Sequence, residues 1–190
     1  MSIAILSIGL LSVAALIGST MNLGTNAKYM SMANALASEK LDSLNKWPSS
    51  DANVACSGIC GALTGPAVCE TADLYCDQIT MAESAGGNYE TQTQVNADGT
   101  TVTTTIVQTN TGCVDTPANC GVASPTGGST FTRRWMITTP VTVTSSTGTT
   151  TTITGPGVAP NNGPRRVTVV VTLNQAVQPP VSFQLSMVRP

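Results

Sequence analysis

Residues 1–47 read MSIAILSIGLLSVAALIGSTMNLGTNAKYMSMANALASEKLDSLNKW, and this stretch decides the fold. Nothing in it is charged before Lys28. A helix needs ~20 apolar residues to cross ~30 Å of hydrocarbon. Positions 1–17 fall slightly short of that, and Gly18, Ser19, Thr20 and Met21 extend them. Residues 1–21 therefore read as a membrane segment whose apolar surface is Ile3, Ile5, Leu6, Ile8, Leu10, Leu11, Val13, Leu16 and Ile17. No basic n-region precedes it and no A-x-A-like cleavage site follows, so it is expected to remain in the mature protein.

The same helix is expected to run on to Lys46. From Lys28 to Trp47 there is neither Gly nor Pro, and good helix formers dominate. Met30, Ala33, Ala37, Leu41, Leu44 and Trp47 recur at three- and four-residue steps, which sets them on one stripe that needs a partner surface. Asp42 and Lys46 form an i,i+4 pair in the favourable order. Pro48 ends the pattern by excluding its predecessor from the α region. At ~1.5 Å per residue the rod is about 70 Å long, so its second half must stand outside a bilayer. Gly9, Gly18 and Gly24 are weak points, each costing ~1 kcal/mol relative to Ala, or else sites of close helix packing.

Composition narrows the function classes. The chain has 190 residues, a net charge of -2 and 9% charged residues, far below the ~25% of an average domain. That balance gives no general basicity for nucleic acid. Histidine is absent, which excludes imidazole-based triads, dyads and zinc sites. The six cysteines are Cys56, Cys60, Cys69, Cys76, Cys113 and Cys120. An even number behind an export-type apolar end reads as disulfides in an oxidising compartment. Sequence leaves the overall pairing open, although the turn-like VDTPAN between Cys113 and Cys120 favours that pair. A metal centre is the weaker alternative, because the C-x3-C of Cys56 and Cys60 has no matching second pair. Asp73, Asp77 and Glu70 are a faint calcium candidate without EF-hand spacing. No catalytic, cofactor-binding or metal site is assigned, and no cofactor is expected. Ser43 and Lys46 share a helix face but read as surface, so the chain is expected not to be an enzyme.

Past Gly86–Gly87 the period changes from 3.6 to 2. Segments 89–95 and 101–107 flank Asn96-Ala97-Asp98-Gly99 as a hairpin. Phe131, Arg133, Trp135 and Ile137 alternate with polar neighbours, and Val141 and Val143 continue that strand past Pro140. Val167, Val169, Val171 and Leu173, then Val181, Phe183, Leu185 and Met187, form two more strands. The expectation is a twisted antiparallel sheet with one buried face that covers the outer half of the helix. The segment 149–164 reads as a strand tip and loop. Arg133, Arg134, Arg165 and Arg166 hold half of the eight basic residues and form a candidate basic patch if their strands pair. The blander expectation is one solvated and one acid-paired arginine in each doublet, so nucleic acid is an unlikely partner by this reading.

The layout resembles a type IV pilin. IAILSIGLLSVAAL continuing into NAKYMSMANALASEKLDSL is similar to the first helix of PilV-like minor pilins, and FTRRWMITT, RRVTVVVTL and VSFQLSMV resemble the sheet of that family. The resemblance covers both ends and roughly half the chain. Pilins also carry a basic leader and a glutamate at the fifth mature position. Here no acid occurs before Glu39, and alignment sets Met1 near the eighth mature residue, as a late start would. No leader processing, methylation or glutamate role is carried over.

The resemblance implies an α+β type IV pilin fold. Residues 1–46 form its helix (1–21 the membrane or filament-core segment), 47–87 a Cys-rich connecting loop and 88–190 a β-sheet head domain. It implies a structural subunit of a pilus or fimbrium that assembles with other pilin subunits through N-terminal helices. Filament initiation, adhesion or motility is the expected role. The location would be the inner membrane with a periplasmic head, then the extracellular filament. A type II secretion pseudopilin and a single-pass anchored periplasmic or cell-surface protein are the alternatives.

Overall fold

The computed structural model describes residues 2–48, 51, 54–56, 58–70, 73–84, 86–96, 99–123, 127–139, 141–144, 146–153, 164–173 and 181–189, with backbone alone for 2–12, 84, 141–144 and 151–153. One helix, α1, spans Ser2–Lys46. Ten strands follow: β1 Ile59–Gly61, β2 Cys76–Ser84, β3 Gly87–Val95, β4 Thr101–Thr109, β5 Val114–Asp115, β6 Ser129–Thr138, β7 Val141–Thr144, β8 Thr150–Ile153, β9 Arg165–Leu173 and β10 Val181–Arg189.

The main sheet is antiparallel, in the order β10-β9-β6-β2-β3-β4-β5, with β1 beside β2 along the same edge of β6. Alternation fixes its register. Phe131 faces Leu173, Trp135 faces Val169 and Ile137 faces Val167, so the apolar parity of β6 and β9 falls on one side. β10 adds Val181, Phe183, Leu185 and Met187 to the same side. α1 crosses that side above β10, β9 and β6. Ala33, Leu36, Ala37, Leu41 and Leu44 pack there against Phe131, Trp135, Ile137, Val167, Val169, Val171 and Leu173, with Ile79, Val54 and Cys56 closing the core. Small Ala33 and Ala37 let the helix lie close, while Leu36, Leu41 and Leu44 fill the space beside them.

The helix stops where Pro48 predicts, and its end is capped from the far end of the chain. Arg189 on β10 donates to the Leu44 carbonyl at 2.8 Å and also to the Trp47 carbonyl. These are carbonyls that the terminating helix leaves without an internal partner. The link ties the last strand to the helix.

Four expectations change. Met30 of the apolar stripe is 42% exposed and Trp47 only half-buried, so the stripe's buried portion is Ala33, Ala37, Leu41 and Leu44. The strand read through Pro140 is two elements, because β6 ends at Thr138 and β7 pairs with β8 in a separate two-stranded sheet. β8 lies in the segment read as strand tip and loop; 154–163 is outside the described residues. The segment 47–87, read as connecting loop, carries β1 and β2, and β2 is an interior strand between β6 and β3.

The largest correction concerns the membrane half of the helix. Among the described residues no helix is long and apolar enough to cross a membrane. The side chains of Ile3, Ile5, Leu6, Ile8, Leu10 and Leu11, and the surroundings of Gly9, lie outside the described residues. From Val13 onward the apolar run lasts only to Ile17. Gly18, Ser19, Thr20, Asn22, Gly24, Thr25 and Asn26 then interrupt it before the ~20 residues that hydrocarbon requires are reached. The pilin-type fold with a membrane half is therefore replaced by an α+β fold with one N-terminal helix, an open antiparallel sheet and disulfide-linked loops. The transmembrane-helix and inner-membrane assignments fall with it.

Candidate functional site

The chemically distinctive place in the head is an ion cluster sealed between α1 and the sheet. Asp77 is the second residue of β2, Arg133 sits opposite it on β6, and Lys40 descends from α1 one turn past Leu36. Arg133 donates from Nε to Asp77 Oδ1 at 2.8 Å and from Nη2 to Oδ2 at 2.9 Å, a two-bond fork. Its Nη1 donates to the Leu36 carbonyl at 3.0 Å. Lys40 Nζ donates to Asp77 Oδ2 at 3.0 Å and lies 3.8 Å from the centroid of the Trp135 ring. Gln92 Nε2 adds a longer contact to Oδ2 at 3.4 Å. The three ions are almost inaccessible, with Lys40 5%, Asp77 0% and Arg133 1% exposed.

Burial alone would push the Asp77 carboxyl upward, but Lys40 and Arg133 outweigh it and hold the group below the usual carboxylate range. Burial draws the Lys40 ammonium below the ordinary lysine value, against the opposing pull of Asp77. At the rim, burial raises the Glu90 carboxyl, Glu39 adds to the rise and Arg133 opposes it. Such a set of perturbed groups often marks a reaction centre. Here Lys40, Asp77 and Arg133 are spent on one another and on a helix carbonyl, and all three are buried. What the arrangement does is clamp the helix to the sheet.

The opposite face of the sheet is polar. Arg134, one residue along from Arg133, points there, donating to Asp73 Oδ2 at 2.6 Å and to the Pro66 carbonyl at 2.9 Å. Thr132 donates to the Ala67 carbonyl, so the 63–67 loop is tied down over this face. A side chain at Gly65 would run into the Arg134 guanidinium, 2.6 Å from its carbon. A shallow groove of about 390 Å3 remains between this loop and Thr172, Ser182 and Gln184.

Disulfides Cys56–Cys60, Cys69–Cys76 and Cys113–Cys120 account for all six cysteines. The first two anchor the loops beside β1 and β2, and the third bridges the two ends of the 113–120 segment that holds β5. Among the described residues no group of three or more acidic or cysteine side chains is placed to hold a metal. Of the calcium candidates, Asp77 is buried in the clamp, Asp73 is engaged by Arg134 and by the Tyr75 N–H, and Glu70 is exposed.

The four arginines do not form a patch. β6 and β9 pair, yet the register sets Arg133 beside Val171 and Arg166 beside Thr138, so the doublets are well separated along the strands. Each doublet also splits across the sheet. Arg133 and Arg165 are buried on the helix side, where Arg165 donates to the Val54 carbonyl, while Arg134 and Arg166 take the other face.

Beyond the head, α1 continues as an arm. Val13 (53%), Leu16 (65%), Ile17 (52%), Met21 (69%) and Leu23 (68%) are exposed. Nothing lies within 4 Å of the Cβ positions of Gly18 and Gly24. At the base of the arm, Lys28 bridges to Glu83 at 2.6 Å and the Tyr29 ring packs edge-on against Phe131.

The sequence stripe missed Leu36 and Lys40, both buried, and gave Asp77 no structural role. The helix positions were legible, since Leu36 lies three residues past Ala33, and Lys40 three past Ala37 and four before Leu44.

No family model, no curated protein and no solved structure matches this chain. The pilin resemblance thus gains no support from known proteins, and the membrane-spanning helix that pilins require is missing among the described residues. The PilV-like role, the pseudopilin and anchored-protein alternatives, pilus partners and the inner-membrane-to-filament location are set aside on those grounds.

Proposed function

We propose that this chain is a non-catalytic protein-binding module of an oxidising compartment, whose rigid head holds an apolar helical arm out for a protein partner. One observation carries the reading: five large apolar side chains between 13 and 23 stand exposed on one continuous helix that is firmly clamped farther along. Exposed apolar surface of that extent marks an interaction site. Polar residues interspersed at 18–20, 22 and 24–26 suit contact with another protein, which offers hydrogen-bond partners as well as apolar cover. The clamp supports the reading by leaving its ionisable groups no outlet to a substrate. The three disulfides support an oxidising setting, where such bonds persist.

Photo-crosslinking in cells that produce the protein tests this. A photoreactive side chain at Met21 or Leu23 is expected to give discrete protein adducts that the same group at exposed Glu70 does not. Lipid adducts alone, or no arm-specific adduct, would overturn the reading.

A further inference from the structure

β10 is the outermost strand of the main sheet, with nothing paired to its far side among the described residues. Strand edges normally carry a device against pairing: a charge, a proline, a bulge or very short length. β10 has none before its last residue. It is nine residues long, VSFQLSMVR, with an unbroken one-to-one register against β9 from Val181–Leu173 to Arg189–Arg165. Its single charge, Arg189, is turned onto the helix end. The opposite edge differs. β5 has two residues and is closed by the Cys113–Cys120 disulfide. The open part of β4 exposes Val102, Thr103, Thr104 and Ile106 on both faces, so it has no half-covered apolar side to complete.

β10 does have such a side. Phe183, Leu185 and Met187 pack on the core yet remain half-buried at the sheet margin. Ser182, Gln184, Ser186 and Val188 occupy the other face and are exposed.

We infer that β10 is a self-recognition edge: two copies of this chain join their sheets by antiparallel β10–β10 pairing about a two-fold axis at Leu185. The occupant follows from the strand itself. Centring on Leu185 is the register that overlaps all nine residues, and a two-fold contact must be self-complementary. In that register Phe183 lies opposite Met187 of the second copy and Leu185 opposite its mate, so apolar meets apolar on the core side. Gln184 lies opposite Ser186 on the polar side, and no like charges meet. Backbone hydrogen bonds would give the affinity and these cross-strand pairs the register.

Charge-pair variants test the register directly, read by sedimentation equilibrium of the full chain with its disulfides intact. The wild type is expected to show a dimer. Gln184→Lys with Ser186→Lys faces like charges across the axis twice and is expected to weaken dimerisation at least tenfold. Gln184→Lys with Ser186→Glu alters the same two exposed positions but faces opposite charges twice, and is expected to restore the dimer. Circular dichroism and melting temperature show whether each variant keeps the fold. Should both variants be folded and associate equally, or should the wild type stay monomeric, the inference is wrong. Assembly through the arm is distinguishable, since it would respond to Leu16→Ser with Leu23→Ser and ignore both β10 variants.

Discussion

Asp77 has two cations within 3.0 Å and no exposure to water. Removing one partner of a buried ion pair leaves the others uncompensated and costs roughly 3–5 kcal/mol. Asp77→Asn is therefore expected to lower unfolding free energy by about that amount, measured by urea titration at neutral pH. The folded-state pKa of Asp77 lies below its usual 3.8, so its contribution is complete above that value and disappears as pH falls through the lower folded value. Below pH ~4 the wild type should lose stability more steeply than Asp77→Asn. Glu90 has the opposite sign. Its pKa is raised above 4.5 on folding, so it favours the fold at low pH and counts against it once ionised. Glu90→Gln is expected to raise the melting temperature at neutral pH, with the gain fading as the medium is acidified. At this scale the sequence was half legible. The alternation FTRRWMIT put Arg133 on the face of Phe131 and Trp135, which already predicts a buried cation; the acid that answers it lies 56 residues earlier in a strand that the sequence did not show.

At the scale of elements, the most direct lever is Arg189. It caps α1 from the end of β10 through the Leu44 and Trp47 carbonyls. A hydrogen-bonded charge of this kind contributes ~1.5–3 kcal/mol. Arg189→Ala should lose about that much in chemical denaturation, and amide exchange should rise first in the last helical turn. The strands with clean alternation, β3, β4, β6, β9 and β10, could be read from their sequences. β2 could not. CDQITMAES holds Asp77 at an inward position where a residue such as valine would reveal the period, because the buried partner there is ionic. The hairpin β7–β8 was missed for another reason. Val141 and Val143 reveal β7 but read as a continuation of β6 past Pro140, and Thr-rich β8 carries Ile153 alone as an apolar signal.

For the molecule as a whole, the account turns on the contrast between two parts of one helix. Residues 33–44 are locked by packing, by the Lys40–Asp77–Arg133 cluster and by the Arg189 cap, while the side chains of 13–25 are exposed. The sequence showed the apolar character of the arm but misjudged its setting, since a run that begins like a bilayer helix is broken by seven Gly, Ser, Thr and Asn residues between 18 and 26. Hydrogen exchange of the intact chain, followed by mass spectrometry, separates these parts most directly. Amides of 13–25 are expected to exchange orders of magnitude faster than those of 33–44, and to slow only when the captured protein partner is bound. Equal protection of both segments in the isolated protein would mean that the arm is already covered without a partner, and would contradict the account.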